Sequence, residues 1–293
     1  MTARDVPNRV AVTGAAGTVG RPLVRDLVAR GHRPRVILRP GSPEPPPPGT
    51  EAVHVDLADP AALATHLAGV ERLFLLTPLV PRQDLLQIGI VEAARRAGVQ
   101  HVVKISALNA SPDAPTMIQH QHGVVEEALR AAEMTSTSLR PNAFMQNARQ
   151  WRAEVAARGA VVMPCGDARV SVVDARDVAE AAAVMLTTPE PGDAVHELTG
   201  PEALTYTEMA RELSAALGRP VRHLDPSPED LERAMLAGGA PSWLVRARLE
   251  LYGTYRRGQA ARVTTAVRDL TGREPRHFAT FAGEIVPLMT VAG

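Results

Sequence analysis

Short β-branched runs alternate with longer amphipathic stretches through the first half of the chain, and this alternation limits the fold more than any other feature. RVAVTG (9–14), RVIL (35–38), AVHVDL (52–57), RLFLLT (72–77), HVVKIS (101–106) and TSTSLR (135–140) read as strands buried on both faces, the pattern of parallel strands covered by helices. Between them, TVGRPLVRDLVARG, PAALATHLAG, RQDLLQIGIVEAARRAG and TMIQHQHGVVEEALRAAE carry apolar residues at helical spacing. Several of these end at Gly, as helix C-termini often do. Strands alternating with helices build βαβ units, and the expected class is α/β with a doubly wound parallel sheet.

The pattern is interrupted twice. PGSPEPPPPG (40–49) lies between the second and third strands, and its prolines forbid helix or central strand, which leaves a stiff surface loop. After Pro141 the regularity breaks. VVDARDVAEAAAVMLTT (172–188) reads as one more strand and helix, with Asp174 as N-cap and Asp177 in the first turn. VHELTG (195–200) reads as a strand, and the remainder is mostly helical, with WLVRARLELYGTYRRG (243–258) its longest piece. The expected division is 1–190 for the sheet domain, with residues about 142–171 on the substrate side, and 191–293 for a smaller helical lid over the sheet's carboxyl edge. Trp243, at the start of the longest helix, either covers a pocket there or packs within the lid.

Thirty-two basic and thirty-two acidic residues cancel. That balance argues against a nucleic-acid or anionic-membrane partner. No apolar run approaches the roughly 20 residues that cross a bilayer, and MTARDVPNRV lacks the apolar core of a secretory signal. The cytoplasm is therefore the expected location. A lone Cys165 excludes an internal disulfide, and no Cys/His cluster suggests a metal.

VAVTGAAGTVG (10–20) sets Gly14, Gly17 and Gly20 directly after a strand and at the opening of a helix. That order suits a dinucleotide. The turn needs a residue tolerant of positive φ, the pyrophosphate approaches bare backbone, and the helix N-terminus supplies amide donors. Ala16, Thr18 and Val19 complete the expected contact loop. An NAD site usually carries an acidic residue at the end of the second strand. Here RVIL is followed by Arg39-Pro40, with no carboxylate before Glu44. A guanidinium at that point suits a 2′-phosphate, so NADP(H) is expected over NAD(H), the other reading of Arg39 being a solvated residue at a loop start. Asp56-Leu57 after the third strand suits the adenine edge, and Thr77-Pro78 after the fourth suits the ribose or nicotinamide.

Taken together, TGAAGTVG, LFLLTP, HVVKIS, His122-x-x-x-Glu126, SLRPNAFMQN (138–147), ELTGPEALT and LTGREP make the chain resemble NmrA-like atypical short-chain dehydrogenases over nearly its whole length. The resemblance is nearest to their NAD(P)H:quinone oxidoreductase-like branch. It implies a Rossmann-type sheet plus a small C-terminal region. It also implies one of two activities: a reductase of quinones, iminium compounds or dyes, or a redox sensor that binds dinucleotide and acts through a protein partner without turnover.

In the register where an ordinary short-chain dehydrogenase carries Tyr-x-x-x-Lys, this chain has His122-x-x-x-Glu126. Its tyrosines are Tyr206, Tyr252 and Tyr255, and its single lysine is Lys104. In the usual pair, lysine lowers the phenol's pKa so that tyrosine passes a proton to a developing alkoxide. Lacking that pair, the chain suits acceptors that take hydride readily, namely a small planar quinone-like, iminium or polycyclic substrate in a dry pocket. His122 is the expected proton donor or substrate ligand, with Glu126 four residues on to orient or charge it, or else a polar helix residue simply paired with Glu126. Ser106 either donates to a substrate oxygen or the cofactor, or caps the loop that follows. Strand alternation puts Lys104 on the same face as Ser106, with no partner evident in sequence, so it reads as structural. Asn142, Phe144, Met145 and Asn147 follow the sixth strand and are the expected substrate contacts, although Phe144 also suits plain core.

Overall fold

The computed structural model describes residues 10–42 and 45–290, so Arg9 of the first expected strand and Glu44 lie outside the described residues. In chain order the strands are β1 (Val10–Val12), β2 (Arg35–Leu38), β3 (Glu51–His54), β4 (Arg72–Leu75), β5 (His101–Ile105), β6 (Thr135–Pro141), β7 (Ala160–Val162), β8 (Ala194–Leu198) and β9 (Arg222–Leu224). The helices are α1 (Gly20–Ala29), α2 (Pro60–His66), α3 (Gln83–Ala97), α4 (Met117–Arg130), α5 (Arg152–Arg158), α6 (Ala175–Thr187), α7 (Tyr206–Leu217), α8 (Pro228–Ala237), α9 (Ser242–Arg256), α10 (Ala266–Thr271) and α11 (Phe278–Thr290). A 3₁₀ helix, Met145–Trp151, precedes α5.

Seven strands form one sheet in the order β3-β2-β1-β4-β5-β6-β8, with parallel pairing from β3 through β6. The order reverses between β1 and β4, and this switch is where open α/β sheets bind ligands at their carboxyl ends. The central strands are buried because helices cover both faces; Ala11, Val12, Leu73, Phe74, Val102 and Val103 are wholly inaccessible. Parallel register runs Leu75 to Lys104 and Lys104 to Ser138, which aligns the ends of β4, β5 and β6. The expected doubly wound Rossmann-type sheet is present.

Several elements close with the chemistry their sequence supplies. Asp59 caps α2 by accepting from the amides of Ala61 and Ala62, with Pro60 at the first helical position. Gly98 ends α3 in the left-handed region at φ 78°. Thr205 and Glu208 form a reciprocal capping box on α7. The Asp174 side chain accepts from the amide of Arg176 at 2.8 Å, the expected cap of α6, and no group of three or more metal-ligating side chains occurs among the described residues.

The chain divides into two units. The first holds residues up to Pro115, Gln119–Arg140 and Val178–His196; the second holds Thr116–Ile118, Pro141–Asp177 and the residues from Glu197. The expectation set the boundary at 190/191 with residues about 142–171 on the substrate side; here Pro141–Asp177 groups with the residues from Glu197, so the units are discontinuous. The chain leaves the sheet at Pro141 and returns through α6 and β8, because β8 must lie beside β6 to complete the sheet. The second unit has its own core, in which Trp151 meets Tyr206 edge-on at 5.8 Å and Phe278 packs near Phe281. It also contains a two-stranded parallel sheet of β7 and β9 that the sequence did not suggest, since three-residue strands carry too little periodicity to read. The strand expected at 172–174 is instead one bridge between Phe144 and Val173. No described helix is long and apolar enough to cross a membrane.

Candidate functional site

The glycine turn joins β1 to α1 at the switch point. Gly14 adopts φ +65°, which L side chains rarely tolerate. A Cβ on Gly20 would lie 2.1 Å from the Gly14 carbonyl oxygen, so this glycine lets the helix start against the turn. Gly17 differs. A Cβ there would meet only the Gly14 oxygen, at 3.1 Å, and Ala16, Gly17 and Thr18 all face outward. Val19 precedes α1 without a side-chain cap, so no capping side chain occupies its first amide donors. Thr13 ties the turn to β4: its hydroxyl approaches the carbonyls of Phe74 and Leu76, and the Leu76 amide donates back to it at 2.9 Å.

At the end of β2 the Arg39 side chain is exposed. Beside it a cavity of about 370 Å³ is lined by Ala16, Leu38, Arg21, Arg25 and Pro45–Pro48. Arg21 braces the glycine turn through a 2.7 Å bond to the Ala16 carbonyl. The proline run therefore walls a pocket beside the glycine turn. The two α1 arginines were not foreseen, because nothing in sequence says which face of α1 the loop covers. Asp56 accepts from the Ala58 amide and stays exposed, and Leu57 is half-buried. Thr77 is buried and accepts from Gln87 Nε2 at 2.8 Å, whereas Pro78 is exposed. The buried Gln87 Oε1 finds no partner among the described residues. Bare backbone at Gly17, uncapped helix amides and an orphaned acceptor beside Thr77 all fit a nicotinamide dinucleotide.

Past β5 the side chains meet in two rungs. Lys104 Nζ is fully buried, lies 2.7 Å from His122 Nδ1 and donates to the Ile105 carbonyl at 3.0 Å. Ser106 Oγ donates to Glu126 Oε1 at 2.5 Å, and Arg140 pairs with the same carboxylate through Nε at 3.0 Å and Nη2 at 2.5 Å. Two residues along a strand advance about 6.6 Å and four along a helix about 6 Å, so the steps match and each strand residue finds one helix residue. Gly123 permits this approach: a Cβ there would lie 2.0 Å from the Ser111 carbonyl carbon, inside the loop after β5.

Two expectations change here. Glu126 does not orient His122; Arg140 and Ser106 hold its carboxylate, because β6 delivers a guanidinium next to Ser106. Lys104 has a partner, and it is the imidazole. Ser106, whose proton is committed to Glu126, is a poor donor to a ligand.

The electrostatics follow from burial. Burial opposes ionisation of Glu126, but the hydrogen bonds from Arg140 and Ser106 and the charges of Arg140 and Lys104 outweigh it, holding the carboxyl below its usual range. Burial brings Lys104 down to about 7, with Glu126 opposing and Arg140 adding to the fall. Burial and then the Lys104 charge push His122 well down, so its ring is neutral near pH 7. Gln83 Nε2 lies 3.4 Å from His122 Nε2; with Nδ1 accepting from Lys104 the imidazole proton falls on Nε2, which calls for the turned amide with Oε1 toward it.

The expected substrate residues belong to the second unit and divide into two kinds. Asn142 is buried and fully engaged: its Nδ2 donates to Ser171 Oγ and to the Ala260 carbonyl, and its Oδ1 accepts from the Ala143 amide. Met145 is 2% exposed within the second core. Side chains already satisfied or enclosed in this way offer little to a ligand. Phe144 is half-buried and Asn147 exposed, so these two keep accessible surface. Trp243 is half-buried in the first turn of α9.

Comparison with known proteins agrees with this geometry. Residues 7–256 match the NmrA-like family. The chain is 35% identical to an NAD(P)H azoreductase of Xenophilus azovorans over 93% of its own length and 96% of the relative. It is 34% identical to a (4-alkanoyl-5-oxo-2,5-dihydrofuran-3-yl)methyl phosphate reductase of Streptomyces griseus, over 94% and 97%. Among solved structures, the NADPH complex of an Escherichia coli NADPH-dependent quinone oxidoreductase superposes with a TM-score of 0.85, covering 94% of this chain and 99% of the other at 24% identity, a likeness of fold. With sheet, glycine turn and sequence in accord, the chain belongs to the NmrA-like family.

Proposed function

We infer that the chain is an NAD(P)H-dependent oxidoreductase, that it prefers NADPH, and that it passes hydride to a small, planar, electron-poor acceptor such as a quinone, an azo compound or an iminium ion. The observation that carries this reading is the His122–Lys104 pair. A neutral imidazole, backed by a lysine, stands in the register where short-chain dehydrogenases carry their tyrosine. Such a donor assists an acceptor that already takes hydride and is weaker support for an ordinary ketone. The azoreductase and quinone oxidoreductase relatives point the same way.

Gly14 to Gly20 and the α1 amides hold the pyrophosphate, and Arg21, Arg25 and Arg39 set positive charge at the 2′-phosphate end. Thr77, just past β4, and Gln87 of α3, which donates to it, stand at the carboxyl end of the sheet and would lie nearer the nicotinamide side. The bound cofactor supplies hydride from its reduced ring. His122 gives a proton to the acceptor atom that gains negative charge, and Glu126, locked by Arg140, fixes the helix face that presents it.

Stopped-flow NADPH oxidation with a panel of quinone, azo and cationic dye acceptors tests this reading. Turnover with at least one class is expected, and His122→Phe should slow quinone reduction at least about 10-fold. Losing one charge-assisted phosphate contact is worth about 1.5–3 kcal/mol. Arg25→Ala and Arg39→Ala should therefore each weaken NADPH roughly 10- to 150-fold, with NADH little changed. Equal losses for both cofactors would assign the arginines to the fold. Tight NADPH binding without turnover on any acceptor would favour a dinucleotide sensor that works through a protein partner.

A further inference from the structure

Lys104 is the single lysine of the chain and is wholly buried, and backing the His122 imidazole leaves open whether its own proton moves. Its position is specific. An ammonium has only donors, so a lysine cation 2.7 Å from Nδ1 makes that nitrogen an acceptor and leaves the imidazole proton on Nε2. Nε2 lies on the opposite edge of the ring from Lys104, 3.4 Å from the Gln83 amide nitrogen, in a residue that is half-buried. The Ile105 carbonyl anchors Nζ on a second side.

We propose that Lys104 and His122 form a two-proton relay, in which the Nε2 proton passes to the acceptor atom that gains negative charge while an Nζ proton moves onto Nδ1. This rests on the reductase reading. The reduced nicotinamide supplies the hydride, the substrate anion takes one proton, and the pair goes from ammonium plus Nε2–H imidazole to amine plus Nδ1–H imidazole. Neither partner passes through a free imidazolium, which burial and the neighbouring charge disfavour. After product leaves, one solvent proton at Nε2 and return of the Nδ1 proton to Nζ restore the start. The charged groups facing Nζ are the Glu126 carboxylate from α4 and the Arg140 guanidinium from β6, which pair with each other. Their opposed effects leave burial as the main influence, and Lys104 comes down to about 7, where an amine gives up a proton readily. Lys104 is a positioning and relay residue that acts through His122.

The test uses the full chain. Imidazole ¹⁵N spectra of the cofactor-free protein below pH 7 should show His122 as the Nε2–H tautomer, and Lys104→Met should lose that preference. In single-turnover quinone reduction by NADPH, rates in mixed H₂O and D₂O should curve for wild type, with two protons in flight, and run straight for Lys104→Met. The wild-type rate should fall as pH rises through about 7, and the variant should be at least about 10-fold slower and lack that limb. Lys104→Arg should restore the tautomer but not the rate, since a guanidinium does not release a proton near neutrality. The wild-type measurements need no variant to fold. A straight wild-type plot, or an Nδ1–H tautomer, overturns the relay and leaves the reductase standing. Absence of turnover with every acceptor overturns both.

Discussion

Gly17 and Gly20 differ by three positions and have opposite reasons to be glycine. A Cβ on Gly20 would sit 2.1 Å from the Gly14 oxygen and 2.8 Å from the Ala15 Cα, so even Gly20→Ala forces backbone apart. Overpacking of this kind costs about 1–3 kcal/mol or more, and a lowered melting temperature should show it. At Gly17 a side chain meets one oxygen at 3.1 Å and otherwise open space. Gly17→Val should therefore fold and melt near wild type yet lose NADPH in a fluorescence titration, because the branches fill the space left for the pyrophosphate. Undiminished NADPH binding by a folded Gly17→Val protein would remove the glycine turn from the cofactor site. The sequence showed the triplet but not this division, since spacing alone does not say which glycine faces backbone and which faces outward. Arg140 is similar. It is one arginine among many until the β5–β6 register pairs Ile105 with Leu139 and so sets Arg140 beside Ser106.

At the scale of elements, strand alternation and helical periodicity made the sheet legible, and they also placed Lys104 with Ser106 and His122 with Glu126. What they could not supply was the pairing across. The i, i+4 neighbour His122–Glu126 was the natural expectation from one helix alone. The structure instead matches helix steps to strand steps, which gives Lys104–His122 and Ser106–Glu126. Gly123 is what allows α4 so close to the loop after β5. Replacing it by Ala gains up to about 1 kcal/mol of helix propensity. Against that stands a Cβ 2.0 Å from the Ser111 carbonyl carbon and 2.4 Å from the Pro112 nitrogen. Gly123→Ala should thus destabilise by about 1–3 kcal/mol net and slow quinone reduction, since a helix lifted from the loop carries His122 away from Lys104. A variant that melts and turns over like wild type would show that the loop gives way and that the rung tolerates it. The small β7–β9 sheet was illegible for another reason: it depends on a contact between strands far apart in sequence.

For the molecule as a whole, the buried basic groups predict an unusual dependence of stability on pH. His101 is 2% exposed and held neutral between Thr135 and Thr137; burial, then the charge of Arg72, brings it down to about 4. His122 is lowered in the same direction, by burial and then by Lys104. In the unfolded chain each histidine takes up its proton near 6.5, so below that pH the unfolded state binds more protons and folding stability is lost as pH falls. For His101 the loss between 6.5 and 4 is on the order of 3 kcal/mol. Lys104 extends the rise upward, because from about 7 to 10.5 the unfolded lysine is protonated and the folded one is not. Cys165 then reverses the trend: burial pushes its thiol up to about 12, so above its ordinary value of 9 the unfolded chain gives up a proton that the folded chain keeps. Urea unfolding monitored from pH 4 to 10 should accordingly give greatest stability near about pH 9, above the common range of about 5 to 8. His101→Phe should flatten the slope between 6.5 and 4, and Lys104→Met should gain about 1–4 kcal/mol at pH 7, an advantage that shrinks toward pH 10. A wild-type maximum near pH 6, with the same acid slope in His101→Phe, would show that carboxylate pairs such as Arg140–Glu126, rather than neutral buried bases, govern the acid limb.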